Sequence, residues 1–585
     1  MEKTLKVIKK VYLYVLALLP LALQYYPTAN KFDLIRYFSP YYIVAAFILA
    51  GFALFWFSEK RVAKLNWVIL AFIVISSLSF IFADVKSFGF AEIFMLWLVG
   101  ITMTFLGVKE ARDELRKILP FALSAILIAN VLGGIATYMS TDHLRFFGLF
   151  YNPEIKADAW PNAFANFFLL SFPFFLFWLF KKNKKYTSLK LLLTALVFSG
   201  FILTVSRAGY IALAIEIVLL LIFLKPRMKV VFSAMLVFFM GLGFTSIINY
   251  GKDIYWDTTN IGQRIAFNEA GGTTSIAERS EFFAGSFKLI GDDLLLGSGP
   301  VSFRWVYPQY QKGLLAVSDH PHNVLLKYGV ERGLVVMIMF VIFLLIVYSN
   351  NGPLNKKAEE YDKIAWAGLL GLLAHSMVDF NLNFFTIYFS FWLVIISLTK
   401  LQKLKINYWA LALVVMVIAG TVFVRLETVR LRELFDNPEK TKITSYAPAI
   451  PGYSILQLYN DNIESKKEIR LAILNKQLEV NPYDPGAWSR LAKERLQSNK
   501  TDEAEQIYDR IINDIDPKNT FEYYADYLEL LQDQNDTDKI ELLRESLDPM
   551  LSEYNKLKEA NVHFIQSKNE EEYVERIESV LNGQS

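Results

Sequence analysis

Residues 189–224 read LKLLLTALVFSGFILTVSRAGYIALAIEIVLLLIFL, an apolar stretch long enough for two membrane-spanning helices. The stretch is interrupted at Ser206-Arg207-Ala208-Gly209. A charged side chain within the hydrocarbon core costs at least ~2–3 kcal/mol, so Arg207 belongs at a turn near the membrane surface. The stretch therefore predicts two spans joined by a hairpin at Arg207.

Similar apolar runs occur throughout the first 425 residues, and over half of all residues are hydrophobic. The sequence predicts an all-α fold, a polytopic membrane helix bundle of about 12–13 spans. The predicted spans are 11–26, 40–57, 65–82, 90–108, 118–139, 163–180, 189–206, 208–224, 230–249, 324–349, 363–382, 384–399 and 407–425.

Lysine and arginine are concentrated in alternate loops, which sets the predicted orientation. The basic loops are 58–64, 109–117, 181–188, 225–229, 350–363 and 400–406. Because such loops stay in the cytoplasm, we predict a cytoplasmic N-terminus. The loops at 140–162 and 250–323, the Arg207 hairpin and everything after residue 425 are then outside.

The composition changes after the last predicted span. Residues 1–425 form the predicted transmembrane domain, and 426–585 are charged and helical in pattern. Asn481-Pro482 and Asp516-Pro517 lie close to one tetratricopeptide period apart. We predict a soluble domain of tetratricopeptide-like repeats, with a generic helical bundle as the alternative.

Several classes of protein and site are excluded by composition. The net charge of +3 is too small to indicate nucleic acid as a partner. The absence of cysteine excludes disulfides, zinc–thiolate sites and thiol nucleophiles.

The loop 251–323 is unusually long for a membrane protein, which suggests a functional role. It ends in Ser318-Asp319-His320-Pro321-His322-Asn323. On an extended segment His320 and His322 point the same way, and a neutral imidazole suits a general base. A metal site and a solvated histidine are the alternatives. Asn323 is placed to cap the helix that follows.

Other polar residues are predicted to lie at the same outer face. Arg207 suits an anion site or a side chain reaching the headgroups, and Arg279 suits an anion site or a surface pair with Glu278 or Glu281. The remaining candidates are Arg145, Asn162, His375 and Asp379. His375 and Asp379 are four apart, so they share one face of the predicted helix. Pairing of a buried histidine with a carboxylate would explain them structurally.

These pieces, in this order, resemble the O-antigen ligase/O-antigen polymerase superfamily of bacterial membrane glycosyltransferases. The matching residues are Arg145-(x)2-Gly148, Pro161-Asn162, Ser206-Arg207-Ala208-Gly209, Arg279, Leu296-Gly297-Ser298-Gly299-Pro300, His320-Pro321-His322-Asn323, Glu331-Arg332-Gly333-Leu334 and His375-(x)3-Asp379. The resemblance covers roughly residues 1–400.

The resemblance implies an inverting glycosyltransferase of the bacterial cytoplasmic membrane that needs no metal and no cofactor. Its donor would be a glycan on undecaprenyl diphosphate, and its acceptor a hydroxyl of a lipid or surface protein. By position, Arg207 and Arg279 would hold the diphosphate, and His322 or His320 would be the base. Arg145, Asn162, Asn323, His375 and Asp379 would bind substrate.

Two other functions remain open. A polymerase that joins lipid-linked repeat units would carry the same motifs. A non-enzymatic transporter or scaffold would not need Arg207, Arg279 and His322. The helical-repeat domain favours a protein acceptor, because such repeats present docking surfaces.

Overall fold

The structure, a computed structural model, describes residues 2–22, 34–59, 62–86, 89–150, 159–181, 187–226, 228–256, 270–314, 318–404, 408–436, 467–517, 520–559 and 568–583. Parts of several predicted features lie outside these ranges. They include residues 23–26 of the first predicted span, 182–186 of a basic loop, 151–158, 257–269 and 315–317 of the two outer loops, and 437–466 and 560–567 of the second domain.

The transmembrane domain is helical. Its helices are α1 (Glu2–Ala22), α2 (Leu34–Glu59), α3 (Trp67–Phe82), α4 (Gly89–Leu106), α5 (Lys109–Met139), α6 (Pro161–Lys181), α7 (Thr187–Ile202), α8 (Arg207–Leu224), α9 (Met228–Trp256), α10 (Ala270–Asp292), α11 (Phe303–Val306), α12 (Val324–Arg332), α13 (Leu334–Asn351), α14 (Glu360–Ser376), α15 (Phe385–Leu398) and α16 (Tyr408–Asp436). Two short strands, β1 (Val62–Ala63) and β2 (Lys403–Leu404), pair antiparallel.

The predicted multi-pass bundle is confirmed. In the described part of the chain, eight helices are long and apolar enough to cross a membrane, and α3, α7 and α15 are shorter apolar helices. Apolar side chains of α9 such as Phe232 and Phe239 are each 63% exposed, as expected of a surface that faces lipid. The core lies between α5, α6, α14 and α15, where large aromatic side chains are buried.

Loops that were predicted to share one side of the membrane do meet. Residues 109–117 were predicted as a loop but form the start of α5, where Arg116 forms an ion pair of 2.8 Å with Asp362 in the first turn of α14. The β1–β2 pair joins the loops 58–64 and 400–406 in the same way. Which end of the bundle faces the cytoplasm stays a prediction.

The prediction of a single span at 324–349 was wrong. The chain breaks at Gly333 into α12 and α13. Gly333 has a φ of +86°, and a Cβ there would lie 2.2 Å from the carbonyl oxygen of Leu295. Only glycine fits such a close backbone approach at positive φ. The α12 segment is therefore a short helix next to the outer loop, separate from the membrane-spanning α13.

The loop that follows α10 is hydrogen-bonded to the residues around this break. We call residues 294–299 the clasp. The Ser298 N–H donates to the Val330 carbonyl at 2.9 Å, and the Leu334 N–H donates to the Leu294 carbonyl at 2.8 Å. The clasp thus supplies partners for backbone groups that the helix break would leave unpaired.

Buried charges hold α12 against α4. Glu92 accepts from Lys327 Nζ at 2.7 Å and from Arg332 Nη2 at 2.6 Å, and Lys327 also contacts Glu331 at 2.8 Å. A buried charge is tolerated when it is paired and hydrogen-bonded. These contacts require a specific geometry, which selects one arrangement of α12 against α4. This network fixes the start of α12, and with it the histidine segment that precedes it.

The second domain consists of helices α17 (Lys467–Val480), α18 (Pro485–Leu496), α19 (Thr501–Arg510), α20 (Phe521–Gln534), α21 (Thr537–Glu559) and α22 (Lys568–Leu581). The α18–α19 hairpin buries Ala492, Ala504 and Tyr508, as the repeat pattern predicts. That it is a tetratricopeptide-type repeat stays a prediction. The domain contacts the outer loop, because Leu314 N–H donates to Glu553 Oε1 at 3.1 Å.

Candidate active site

The predicted site residues lie at one end of the bundle, around the turn that follows α14. The helix ends at Ser376, so Asp379 lies in this turn. The prediction that His375 and Asp379 share a helix face was therefore wrong. His375 is buried in the last turn of α14, and the chain folds back sharply after it.

His375 connects three helices. Its Nε2 lies 3.3 Å from Ser206 Oγ, and its Nδ1 lies 3.1 Å from the side-chain amides of Asn166 and Asn381. Because both ring nitrogens have polar neighbours, the imidazole holds the α7–α8 hairpin against α6 and the α14 turn. This position suits a residue that positions the elements around the site.

A chain of hydrogen bonds runs from Arg145 to Asp379. Arg145 donates from Nη2 to Asn162 Oδ1 at 2.8 Å and from Nε to the Thr204 carbonyl at 2.7 Å. Asn162 in turn donates from Nδ2 to Asp379 Oδ2 at 2.5 Å. Asp379 is 1% exposed, and its carboxylate also accepts a hydrogen bond from the Phe380 N–H at 2.8 Å. Each carboxylate oxygen of Asp379 thus accepts one hydrogen bond, Oδ2 from Asn162 and Oδ1 from the Phe380 N–H.

Arg279 reaches the same turn from α10. Its Nε donates to the Val378 carbonyl at 3.0 Å. Glu281, one of the two acidic residues considered as its surface partner, accepts from the backbone N–H of Gly313 at 3.2 Å. Arg279 thus lies on α10 and is bonded to the residue that precedes Asp379 in the turn.

His322 lies between α10 and the α14 turn. Its ring stacks on Phe282 with centroids 5.5 Å apart and meets Phe380 edge-on at 5.1 Å. Its Nδ1 lies 3.8 Å from Asp379 Oδ1 and has no hydrogen-bond partner among the described residues. Burial lowers the pKa of His322, the Asp379 carboxylate opposes that shift, and Arg279 adds to it. The imidazole is therefore neutral at neutral pH.

The expectation of an extended segment from His320 to His322 was wrong at His322, which has a φ of +51°. Both rings nevertheless pack against Phe380, with centroids 4.7 and 5.1 Å from its ring. Both ring nitrogens of His320 lie 3.1–3.2 Å from Asn383 Nδ2, and the ring packs on Phe380. Burial places the pKa of His320 well below its ordinary value.

The remaining predicted residues border this cluster. Asn323 caps α12 as expected, since its Oδ1 accepts from the N–H groups of Leu325 and Leu326 at 2.9 and 3.0 Å. Its Nδ2 donates to the Met377 carbonyl at 3.0 Å. Arg207 is the first residue of α8, next to Ser206, and its side chain is half-buried. The predicted substrate-binding role of Asn323 stays a prediction.

Sequence reasoning missed the asparagines that support the histidines. Asn166, Asn381 and Asn383 are all buried, and each contacts an imidazole. The available signal was the polarity of Asn166 within an apolar span, because such residues generally face the interior or a functional cavity. No cluster of three or more potential metal-ligating residues is found in the part of the chain that the structure describes.

Comparison with known families agrees with this geometry. A family model described as O-antigen ligase matches residues 192–341. The matched stretch contains Arg207, Arg279, the clasp, His320 and His322, whereas Arg145, Asn162, His375 and Asp379 lie outside it. A search of curated proteins finds no match. The match shows that this stretch, about a quarter of the chain, is similar to O-antigen ligases.

Proposed function

We propose that the protein transfers a glycan from undecaprenyl diphosphate to an acceptor hydroxyl on a lipid or surface protein at the outer membrane face. The observation that carries the proposal is the position of His322. A neutral imidazole lies 3.8 Å from a fixed carboxylate and next to Arg279, in the stretch that resembles O-antigen ligases.

His322 is the proposed general base. Its Nε2 takes the proton of the acceptor hydroxyl as that oxygen attacks the anomeric carbon, and the bond to the diphosphate oxygen breaks with inversion. Asp379 stabilises the imidazolium that forms on His322. Hydrogen bonds of this kind are often long before substrate binds, and we expect the Nδ1–Oδ1 distance to shorten in the complex.

The arginines are the proposed diphosphate ligands. Negative charge grows on the leaving diphosphate as the glycosidic bond breaks, and fixed guanidinium groups stabilise it. Arg279 is anchored at Val378, and Arg207 lies at the N-terminus of α8, where the helix dipole also favours an anion. Arg145 supports this electrostatic environment through Asn162 and Asp379.

His322 is preferred over His320 as the base because their contacts differ. The nitrogens of His320 face the Asn383 amide, whereas Nδ1 of His322 faces a carboxylate. A base needs a partner that stabilises its protonated form, and an amide N–H donor does the opposite. His320 is thus proposed to position Asn383 and the turn.

A ligase and a polymerase differ in the acceptor that they use. The second domain contacts the outer loop at Leu314, and a helical-repeat domain there would offer a surface for docking a protein. This contact favours a ligase with a bulky acceptor. A polymerase would use a second lipid-linked glycan in the same place.

The test uses the purified full chain in detergent with undecaprenyl-diphosphate glycan, a candidate acceptor and no added metal. Wild type is compared by gel shift with His322→Ala and Arg207→Ala. The matched controls are His143→Ala, a histidine of the other outer loop, and Arg425→Ala, an exposed residue of α16.

We expect the wild type and both controls to modify the acceptor, and both site variants to fail while still folded. A ladder of lengthened lipid-linked glycan with an unmodified acceptor would establish a polymerase instead. Normal transfer by His322→Ala and Arg207→Ala would contradict the assigned site. Absence of any product from the wild type would instead favour a scaffold or transporter role.

A further inference from the structure

A large cavity lies at the end of the bundle opposite the candidate active site. It is formed by the start of α5, the end of α6 and the start of α14, whereas the site residues lie at the other ends of α6 and α14. Its volume is about 1100 Å³, slightly above the roughly 300–1,000 Å³ of ordinary small-molecule sites. The described residues that line it all lie outside the stretch 192–341 that matches the family model.

Basic side chains dominate the charged part of the cavity wall. Seven lysine or arginine residues line the cavity, against three acidic residues. The two arginines are held by ion pairs, because Arg116 contacts Asp362 at 2.8 Å and the buried Arg112 contacts Asp113 at 2.9 Å. The acidic residues are thus already engaged with the arginines, and the positive charge of the lysines remains.

Three lining lysines come from segments that are far apart in the sequence. Lys109 begins α5, Lys357 lies just before α14, and Lys400 follows α15. All three are exposed, and none forms an ion pair with another residue in the described part of the chain. A cleft lined mainly by one sign of charge concentrates counter-ions, so this wall favours an anionic ligand.

Another part of the wall is aromatic and reaches the surface of the bundle. Phe121 and Trp178 are 37% and 39% exposed, and their rings meet edge-on with centroids 5.9 Å apart. Trp178 lies near the end of α6, a helix long enough to cross a membrane. Tryptophan is enriched where the hydrocarbon core meets the headgroups, so this wall lies at the depth of the lipid headgroups.

The two walls together select one kind of ligand. A soluble phosphate compound would use the lysines and gain nothing from Phe121 and Trp178. A zwitterionic lipid would use the rings and leave the lysines without a counter-charge. A phospholipid with a net negative headgroup uses both walls, and basic pockets between transmembrane helices at the cytoplasmic side bind such headgroups. The basic loops predict that this end of the bundle is cytoplasmic.

We propose that this cavity is a binding site for an anionic phospholipid. The phosphate lies among Lys109, Lys357 and Lys400, and the acyl chains run along Phe121 and Trp178 toward the bilayer. The lipid would join the ends of α5, α6 and α14, two of which are already linked by the Arg116–Asp362 ion pair. This proposal goes beyond glycan transfer and does not depend on it.

Binding is measured on the full chain, stripped of lipid in detergent, by native mass spectrometry. The probes are phosphatidylglycerol, phosphatidylcholine with the same acyl chains, and glycerol 3-phosphate as a soluble form of the anionic headgroup. The cavity variant combines Lys109→Gln, Lys357→Gln and Lys400→Gln. The matched control removes the same charge from three exposed lysines outside the described lining, by Lys3→Gln, Lys64→Gln and Lys229→Gln.

We expect wild type to bind phosphatidylglycerol at least 10-fold more tightly than phosphatidylcholine. The affinity for phosphatidylglycerol should fall at least 10-fold in the cavity variant and less than threefold in the control, because each lysine beside an anionic headgroup contributes to binding. Added phosphatidylglycerol should raise the Tm of wild type and of the control but not that of the cavity variant. Without added lipid the three proteins should melt alike, since only exposed side chains change.

Three results would overturn the proposal. Equal affinity for the two lipids would show that the lysines do not recognise a headgroup charge. An equal loss in the cavity variant and the control would mean that phosphatidylglycerol responds only to the overall charge of this end of the protein. Binding of glycerol 3-phosphate as tight as that of phosphatidylglycerol would indicate a soluble anion as the ligand. Because no transfer is measured, none of these results bears on the proposed glycosyltransferase.

Discussion

Replacing Asp379 with asparagine tests the pairing on which the proposed mechanism depends. Asp379→Asn keeps the size of the side chain and can still accept from Asn162, but it removes the negative charge 3.8 Å from His322. If Asp379 stabilises the imidazolium of His322, the substitution should lower kcat more than it raises KM, because the interaction grows as the proton is transferred.

The magnitude follows from the distance. Two unit charges 3.8 Å apart attract by about 4 kcal/mol at an effective dielectric constant of ~20. With the proton about half transferred in the transition state, roughly 2 kcal/mol is lost, which corresponds to about a 30-fold fall in kcat. The carboxylate also raises the pKa of His322, so its removal should move the acid limb of the pH–rate profile to lower pH.

The assay is the initial rate of glycan transfer between pH 5 and 8, at saturating and limiting acceptor. Asp292→Asn, an exposed aspartate at the end of α10, is the matched control and should behave as wild type. An acid limb that does not move, together with a rise in KM alone, would mean that Asp379 contacts substrate and does not act through His322. A kcat within twofold of wild type would refute the pairing altogether.

Three further predictions concern the same region. In the wild type, burial lowers the pKa of His322, so kcat/KM should be constant through neutral pH and should fall only below about pH 6.5. An acid limb of the pH–rate profile with its midpoint above pH 7 would contradict the assignment of His322 as the base. Gly333→Ala should cost at least about 2 kcal/mol of stability in a thermal melt in detergent, because the residue needs positive φ and its Cβ meets Leu295; Gly243→Ala, which has open space around it, should show no loss. Asn323→Ala should cost about 0.5–2 kcal/mol in the same melt through loss of the α12 cap, and an unchanged melt would show that the cap is dispensable.

The sequence predicted the architecture well because membrane spans follow from length and hydropathy. It failed at Gly333, where Glu331-Arg332-Gly333 interrupts an otherwise apolar run. Charged residues followed by glycine are an ordinary helix-end signal. An average over a whole span conceals so short a break, and the partner that requires it, the clasp, lies about 30 residues earlier in the chain.

The candidate site was only partly predictable. Its charged residues stood out because ionisable groups are rare in apolar surroundings. Their mutual arrangement depends on the positive φ of His322 and on the turn after α14, which spacing along the chain does not specify. The buried asparagines were missed for a related reason, since an isolated Asn166 gives no indication that His375 is its neighbour.

The clasp has a consequence for where the chain tolerates change. Its backbone hydrogen bonds to α12 and α13, and the Ser79 hydroxyl that donates to the Leu296 carbonyl, tie the second half of the outer loop to the bundle at several points. An inserted residue between 294 and 299 would shift every one of these pairs out of register. Any domain exchange between relatives should therefore carry the clasp and the α12–α13 break together.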